Sequence, residues 1–145
     1  MYYITKLISI ILLSLAFNHV FAGEKVVVIV NEANQQSVNQ ADVKNFYSDQ
    51  VIVWGNGNRI ALFDLPPRSP SREVFTTQVL GMSAKQSASF WANKKVTNSG
   101  KNFPKTKRES SVVSAVKKNP DAIGYVSEKA AASKGGVKVL FSLGE

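Results

Sequence analysis

The sequence predicts a layered α/β domain with a mostly parallel, mixed sheet, and three features carry that reading. Strand-like runs alternate with helical patterns from Lys25 to Leu143, the order that builds helices over a sheet. The first run, Lys25 to Val30 (KVVVIV), is β-branched without polar alternation, as in a strand covered on both faces. Two of the helical patterns open on capping boxes, Asn39 with Asp42 and Ser83 with Gln86, in which cap and third residue satisfy each other's backbone amides.

Each element can be argued in turn. Asn31 to Ser37 is polar and turn-like, and Asn39 then starts a helix whose buried stripe is Val43, Phe46 and Tyr47, with Val38 stapled against Val43. An apolar run, Val51 to Trp54, ends in Gly55-Asn56-Gly57-Asn58, a turn signal; Trp54 reads as a packing residue at its edge. Arg59 to Leu65 is the second strand-like segment. After Gly81 a helix runs through Trp91 with Ala84, Ala88 and Trp91 on one side, and Val96 to Lys107 follows as a long polar loop, either mobile or functional. Glu109 to Asn119 is a helix with Val112, Val113 and Val116 inside, stopped at Pro120. Ala122 to Val126 (AIGYV) is a short strand whose glycine admits a close neighbour. Ala130 to Gly136 is a small-residue segment, and Val137 to Leu143 closes as a last strand.

The first 22 of the 145 residues read as a signal peptide: one lysine, Lys6, an apolar run from Leu7 to Phe17, and Val20-Phe21-Ala22 before cleavage. The expected organisation is therefore 1–22 signal peptide and 23–145 one domain of 123 residues, large enough for a core without staples. The sequence has no cysteine, which excludes disulfides, thiolate sites and lipid attachment through a cysteine. An untethered exported protein points to the periplasm of a double-membraned cell. The formal charge is 18 minus 10, or +8, and the basic residues crowd between Lys94 and Lys118. Export argues against a nucleic-acid partner, leaving a solvated face or one that attracts anions, anionic headgroups or an acidic protein. The single histidine, His19, lies in the signal segment, so the domain has no imidazole base, and the reading is non-enzymatic, with no cofactor and no metal.

The most chemically suggestive stretch is Asp64 to Gly81, DLPPRSPSREVFTTQVLG. Ser69 is a good N-cap, Pro70 suits the first helical position, Phe75 and Val79 bury a face, and Gly81 supplies a left-handed stop. The hydroxyls of Ser69 and Ser71, the open amides and the guanidiniums of Arg68 and Arg72 are the parts of an oxyanion site. They equally describe a capped surface helix with solvated arginines. Asp64 reads as a partner for Arg68 or the end of the strand.

Taken in order, Asn31 to Ser48 (N-x-x-N-x-x-S-V-N-x-x-D-V-K-N-F-Y-S is its pattern), W-G-N-G-x-R-I at Trp54, S-P-S-R-E-V-F at Ser69 and N-P-D-A-I-G-Y-V at Asn119 resemble the substrate-binding proteins of phosphate ABC transporters, which have the type II periplasmic binding-protein fold. The resemblance runs from about Val26 to Val126. It implies one lobe of that fold, layered α/β/α, and a phosphate contact at Ser69, Ser71 and Arg72, with Arg68 as a substitute cation. Three departures stand beside it: the second lobe is missing, Pro70 replaces a glycine of the cradle, and Leu65 stands where the family places an arginine. The resemblance thus implies a periplasmic phosphate-binding-like protein with weak affinity for a small oxyanion. The alternative is an accessory protein with a vestigial site, partnered by an envelope protein or a second copy of itself.

Overall fold

The computed structural model describes residues 24–144; the signal segment read at 1–22 lies outside them. Five strands form one sheet in the order β3-β2-β4-β1-β5: β1 Val26–Asn31, β2 Ala61–Asp64, β3 Lys105–Thr106, β4 Ala122–Ser127 and β5 Val137–Leu143. β2 is parallel to β3 and β4, whereas β1 is antiparallel to both β4 and β5. Four strands therefore point one way and β1 alone runs against them. The valine-rich run from Val26 to Val30 is buried on both faces as expected, but within an antiparallel pair of ladders. It lies between β4 and β5, which point the same way, and runs opposite to both.

Helices cover both faces. α4 (Glu109–Lys118) and α5 (Glu128–Lys134) pack on β1 and β4 from one side. On this side Gly124 is obligatory, because a Cβ there would come within 2.6 Å of Val112 Cγ1. The other side holds α1 (Gln40–Tyr47) and α2 (Pro70–Phe75). Here Tyr125 stacks on Phe75 with ring centroids 3.9 Å apart, and Tyr47 meets both edge-on. Aromatic contacts of this kind add about 0.5–1.5 kcal/mol beyond burial. α3 (Ala84–Val96) flanks α2, and both predicted capping boxes are formed.

Three local features differ from the sequence reading. Val51 and Val53 are exposed, and the apolar VIVW run forms an isolated bridge, Val53 to Arg59, rather than a strand; its buried side chain is Trp54, whose indole donates to Asp121 O at 2.9 Å. α2 continues from Thr76 to Leu80 as a π-helical turn before Gly81, at φ 70°, stops it. The small-residue segment after β4 is α5, capped by Ser127.

The loop after α3 is pinned. Asp49, just beyond α1 and at φ 62°, accepts from the amides of Lys101 and Asn102, each at 2.9 Å, and from Lys94 Nζ at 3.2 Å. Burial alone would raise its pKa, but these donors outweigh burial and hold it below 3.8. A lowered folded pKa means stability that is present above pH 3.8 and lost as pH falls through the folded value. The stability advantage of the wild type over Asp49→Asn is accordingly expected to shrink between neutral pH and pH 2 to 3, roughly the range of acid loss for such groups. Urea midpoints measured across that range check this, and a constant difference would refute it.

Candidate functional site

The chain leaves β2 at Asp64 and turns through Pro66 and Pro67, where the Ser69 amide donates to Pro66 O at 2.9 Å. Ser69 caps α2, accepting from the Arg72 amide at 3.4 Å, with Pro70 in the first turn. Ser71 follows and is buried, its hydroxyl turned to two carboxylates: it donates to Glu109 Oε1 at 2.8 Å and lies 3.3 Å from Glu24 Oε2. The same Glu109 carboxylate accepts from the Ser127 amide at 2.7 Å and the Ser127 hydroxyl at 3.0 Å. Glu109 is the first residue of α4, Ser71 lies in the first turn of α2, and Ser127 caps α5. Three helix N-termini thus converge on one side-chain anion, and the positive ends of their dipoles are compensated within the fold.

Beside this cluster is a recess of about 360 Å³ bordered by Ser69, Ser71, Arg108, Glu109 and Glu24. Its lining holds two carboxylates and one guanidinium. An incoming phosphate would meet like charges at the distance where Ser71 would have to bind it, a repulsion that strengthens in partly desolvated surroundings.

Arg72 is elsewhere. Its side chain is buried, donates through Nη1 to Leu65 O at 2.6 Å and through Nη2 to Ser87 Oγ at 3.3 Å, and pairs with Asp64 Oδ2 at 3.4 Å. Asp64 also accepts from the Tyr125 hydroxyl and from the Leu65 amide. Burial raises the Asp64 pKa, and Arg72, Tyr125 and Leu65 offset only part of that. Burial, reinforced by the Asp64 charge, pushes the phenols of Tyr47 and Tyr125 well above their usual range. The expectation that Asp64 serves Arg68 is therefore corrected: its partner is Arg72, because residue 72 faces the sheet while Arg68 sits on the exposed turn. Arg68 borders a shallow groove along α3 with Lys85 and Ala88.

The four residues singled out by sequence are thus dispersed: Ser69 at the cap, Ser71 against Glu109, Arg72 in the core and Arg68 in solvent. Glu109, Ser127 and Glu24 were not anticipated. Ser127 followed by Glu128 before a small-residue run is a readable cap signal, but nothing local in the sequence places Glu109 beside Ser71, 38 residues away. Among the described residues no group of three or more His, Cys, Asp or Glu is arranged to hold a metal.

No family model matches the chain, and no curated sequence is detectably similar. Solved structures are similar in fold. An ABC-type phosphate transport receptor from Vibrio cholerae superposes with a TM-score of 0.61 at 17% identity, over 83% of this chain and 47% of that one. A "possible phosphate binding protein" from Planctomyces limnophilus superposes at 0.62 and 19% identity, over 83% and 42%. The chain has the fold of one phosphate-binding-protein lobe. A candidate phosphate ABC transporter substrate-binding protein from Clostridium perfringens, solved with bound phosphate, superposes at 0.57 and 18% identity, over 81% and 44%. The lobe spans less than half the length of each of these proteins, and at such identities the likeness is one of fold.

Proposed function

We propose that this chain is an exported, non-enzymatic module built on a phosphate-binding-protein lobe, in which the oxyanion position at the start of α2 is held by its own Glu109. The observation that carries the reading is the 2.8 Å hydrogen bond from Ser71 to Glu109, with Ser127 closing on the same carboxylate. A carboxylate tethered in the fold competes with phosphate at an effectively high local concentration. The module then acts as an accessory protein of the periplasm or envelope, meeting an acidic partner through the lysines and arginine between positions 94 and 118. The signal pattern at 1–22, the lack of cysteine and the lack of histidine beyond His19 support export and a non-catalytic role.

A second reading is favoured by the open recess beside Ser69 and Ser71 and by the phosphate bound in the Clostridium neighbour: weak phosphate binding at Ser69 and Ser71, with Arg108 of the same lining as the cation in place of the Arg68 and Arg72 named from sequence. Thermal melts of the purified protein in phosphate-free buffer, titrated with phosphate and then sulfate at constant ionic strength, separate the two. Under the first reading the midpoint does not rise saturably up to about 10 mM, because a ligand that binds the folded state stabilises by RT ln(1 + [L]/Kd). A saturable rise that disappears in Ser71→Ala would overturn it in favour of the second.

A further inference from the structure

We infer that the cavity between α2, α3 and β3 is a separate binding site for a small amphipathic carboxylate, an apolar ring or short chain ending in an acid group. The cavity measures about 500 Å³ and shares no lining residue with the recess at the start of α2. That volume falls within the range of small-molecule sites, which combine apolar walls with a few converging polar groups.

Its walls are Ala88, Trp91 and Ala92 from α3 and Phe103 and Pro104 from the pinned loop, and its floor includes Asp64 and Arg72. Among the described residues, the buried side-chain nitrogens and oxygens without a hydrogen-bond partner are Arg72 Nε and Trp91 Nε1. Both belong to this cavity's lining, in residues 3% and 8% exposed. An unmade bond at a buried donor is costly, and both nitrogens are closed off as they stand, so the acceptor we assign comes with a ligand whose entry turns these side chains towards it. Because both groups are donors, the complementary atom is an oxygen acceptor.

The charge of the lining selects an anion. Arg72 and Lys95 against Asp64 leave one net positive charge, and Asp64 is already engaged by Arg72, Tyr125 and the Leu65 amide. The apolar body has its own surface: Phe103, 42% exposed, tilts against Trp91 with ring centroids 5.7 Å apart. The Phe103 ring occupies the space that a Cβ at Gly100 would need, so Gly100 allows Phe103 to lie over the mouth. In the proposed complex a flat ring lies between Phe103 and Ala88 with its carboxylate towards Trp91, and the indole rotates to bring its N–H to the ligand.

The test uses the indole N–H signals of the ¹⁵N-labelled protein and trans-cinnamate as the probe. The two tryptophans give two such signals. Trp54 is the internal reference because its indole is bonded to Asp121 O, and Trp91→Phe assigns the other. Cinnamate is expected to move the Trp91 signal downfield and saturably while Trp54 stays fixed, and acetate at equal concentration to leave both in place. Ala88→Leu, and independently Ala92→Leu at an exposed position of the same wall, are expected to weaken binding at least roughly tenfold without lowering the melting midpoint. A stationary Trp91 signal up to about 10 mM cinnamate, tenfold above a Kd of about 1 mM, overturns the inference. So does a shift that both leucine variants leave unchanged, which would place the ligand elsewhere.

Discussion

Arg72→Met is expected to cost about 3–5 kcal/mol of folding stability, a loss characteristic of removing one partner from a buried ion pair. The guanidinium joins the end of β2, through Leu65 O and Asp64, to α3 through Ser87. Methionine fills much of the volume but leaves the Asp64 carboxylate buried without its cation. For a domain of this size the melting midpoint should fall by on the order of 10–20 °C, and urea unfolding gives the free energy directly. Were Arg72 an exposed anion contact, its removal would cost less than about 1 kcal/mol. The pH dependence has a definite sign. The Asp64 pKa is already raised in the folded state and rises further without Arg72, so its contribution is full below the unfolded value of 3.8 and is lost as pH rises through the folded one. The penalty of Arg72→Met should therefore be smallest in acid and largest near neutrality. Asp64→Asn combined with Arg72→Met should be more stable than Arg72→Met at neutral pH, because no uncompensated charge remains. A double variant as unstable as the single one would show that Arg72 acts through packing alone.

The elements were legible where local chemistry decides them. Asn39 with Asp42 and Ser83 with Gln86 fix their helix starts because cap and third residue lie within one turn. Gly81 stops its helix for a reason carried by its own backbone. Strand direction was less legible: KVVVIV announces burial on both faces, which a central strand has whichever way its neighbours run. α5 was missed because Glu128 to Lys134 is short and rich in alanine, leaving little apolar periodicity to detect. The four residues singled out part for a geometric reason. Ser71 and Arg72 are adjacent in a helix, and neighbours in sequence point about 100° apart, so their side chains can be drawn to different partners, as they are here. Reading S-P-S-R as a single cradle ignored that rotation. The fold turns Ser71 towards Glu109 and Arg72 towards Asp64, two partners that only the tertiary structure supplies.

Glu109→Ala is expected to cost about 2–3 kcal/mol, because it strips the acceptor from the Ser71 hydroxyl and from both donors of Ser127 while all three remain largely buried. The loss has a consequence that an ordinary core defect lacks. With the tethered carboxylate gone, the N-termini of α2, α4 and α5 still converge, Ser71 and Ser127 still offer donors, and Glu24 is the remaining carboxylate beside Ser71. Phosphate or sulfate added to Glu109→Ala should then raise its melting midpoint saturably at millimolar concentration, while the wild type stays flat at matched ionic strength. Glu109→Gln separates charge from shape: its amide oxygen can still accept from Ser127, so it should lose less stability than alanine yet be rescued less by phosphate. Equal salt responses in wild type and Glu109→Ala would show that the cluster serves only to hold three helix ends together. Rescue specific to the variant would mean that this lobe keeps an oxyanion position filled by its own side chain, and that a single carboxylate stands between a phosphate-binding lobe and one that binds none.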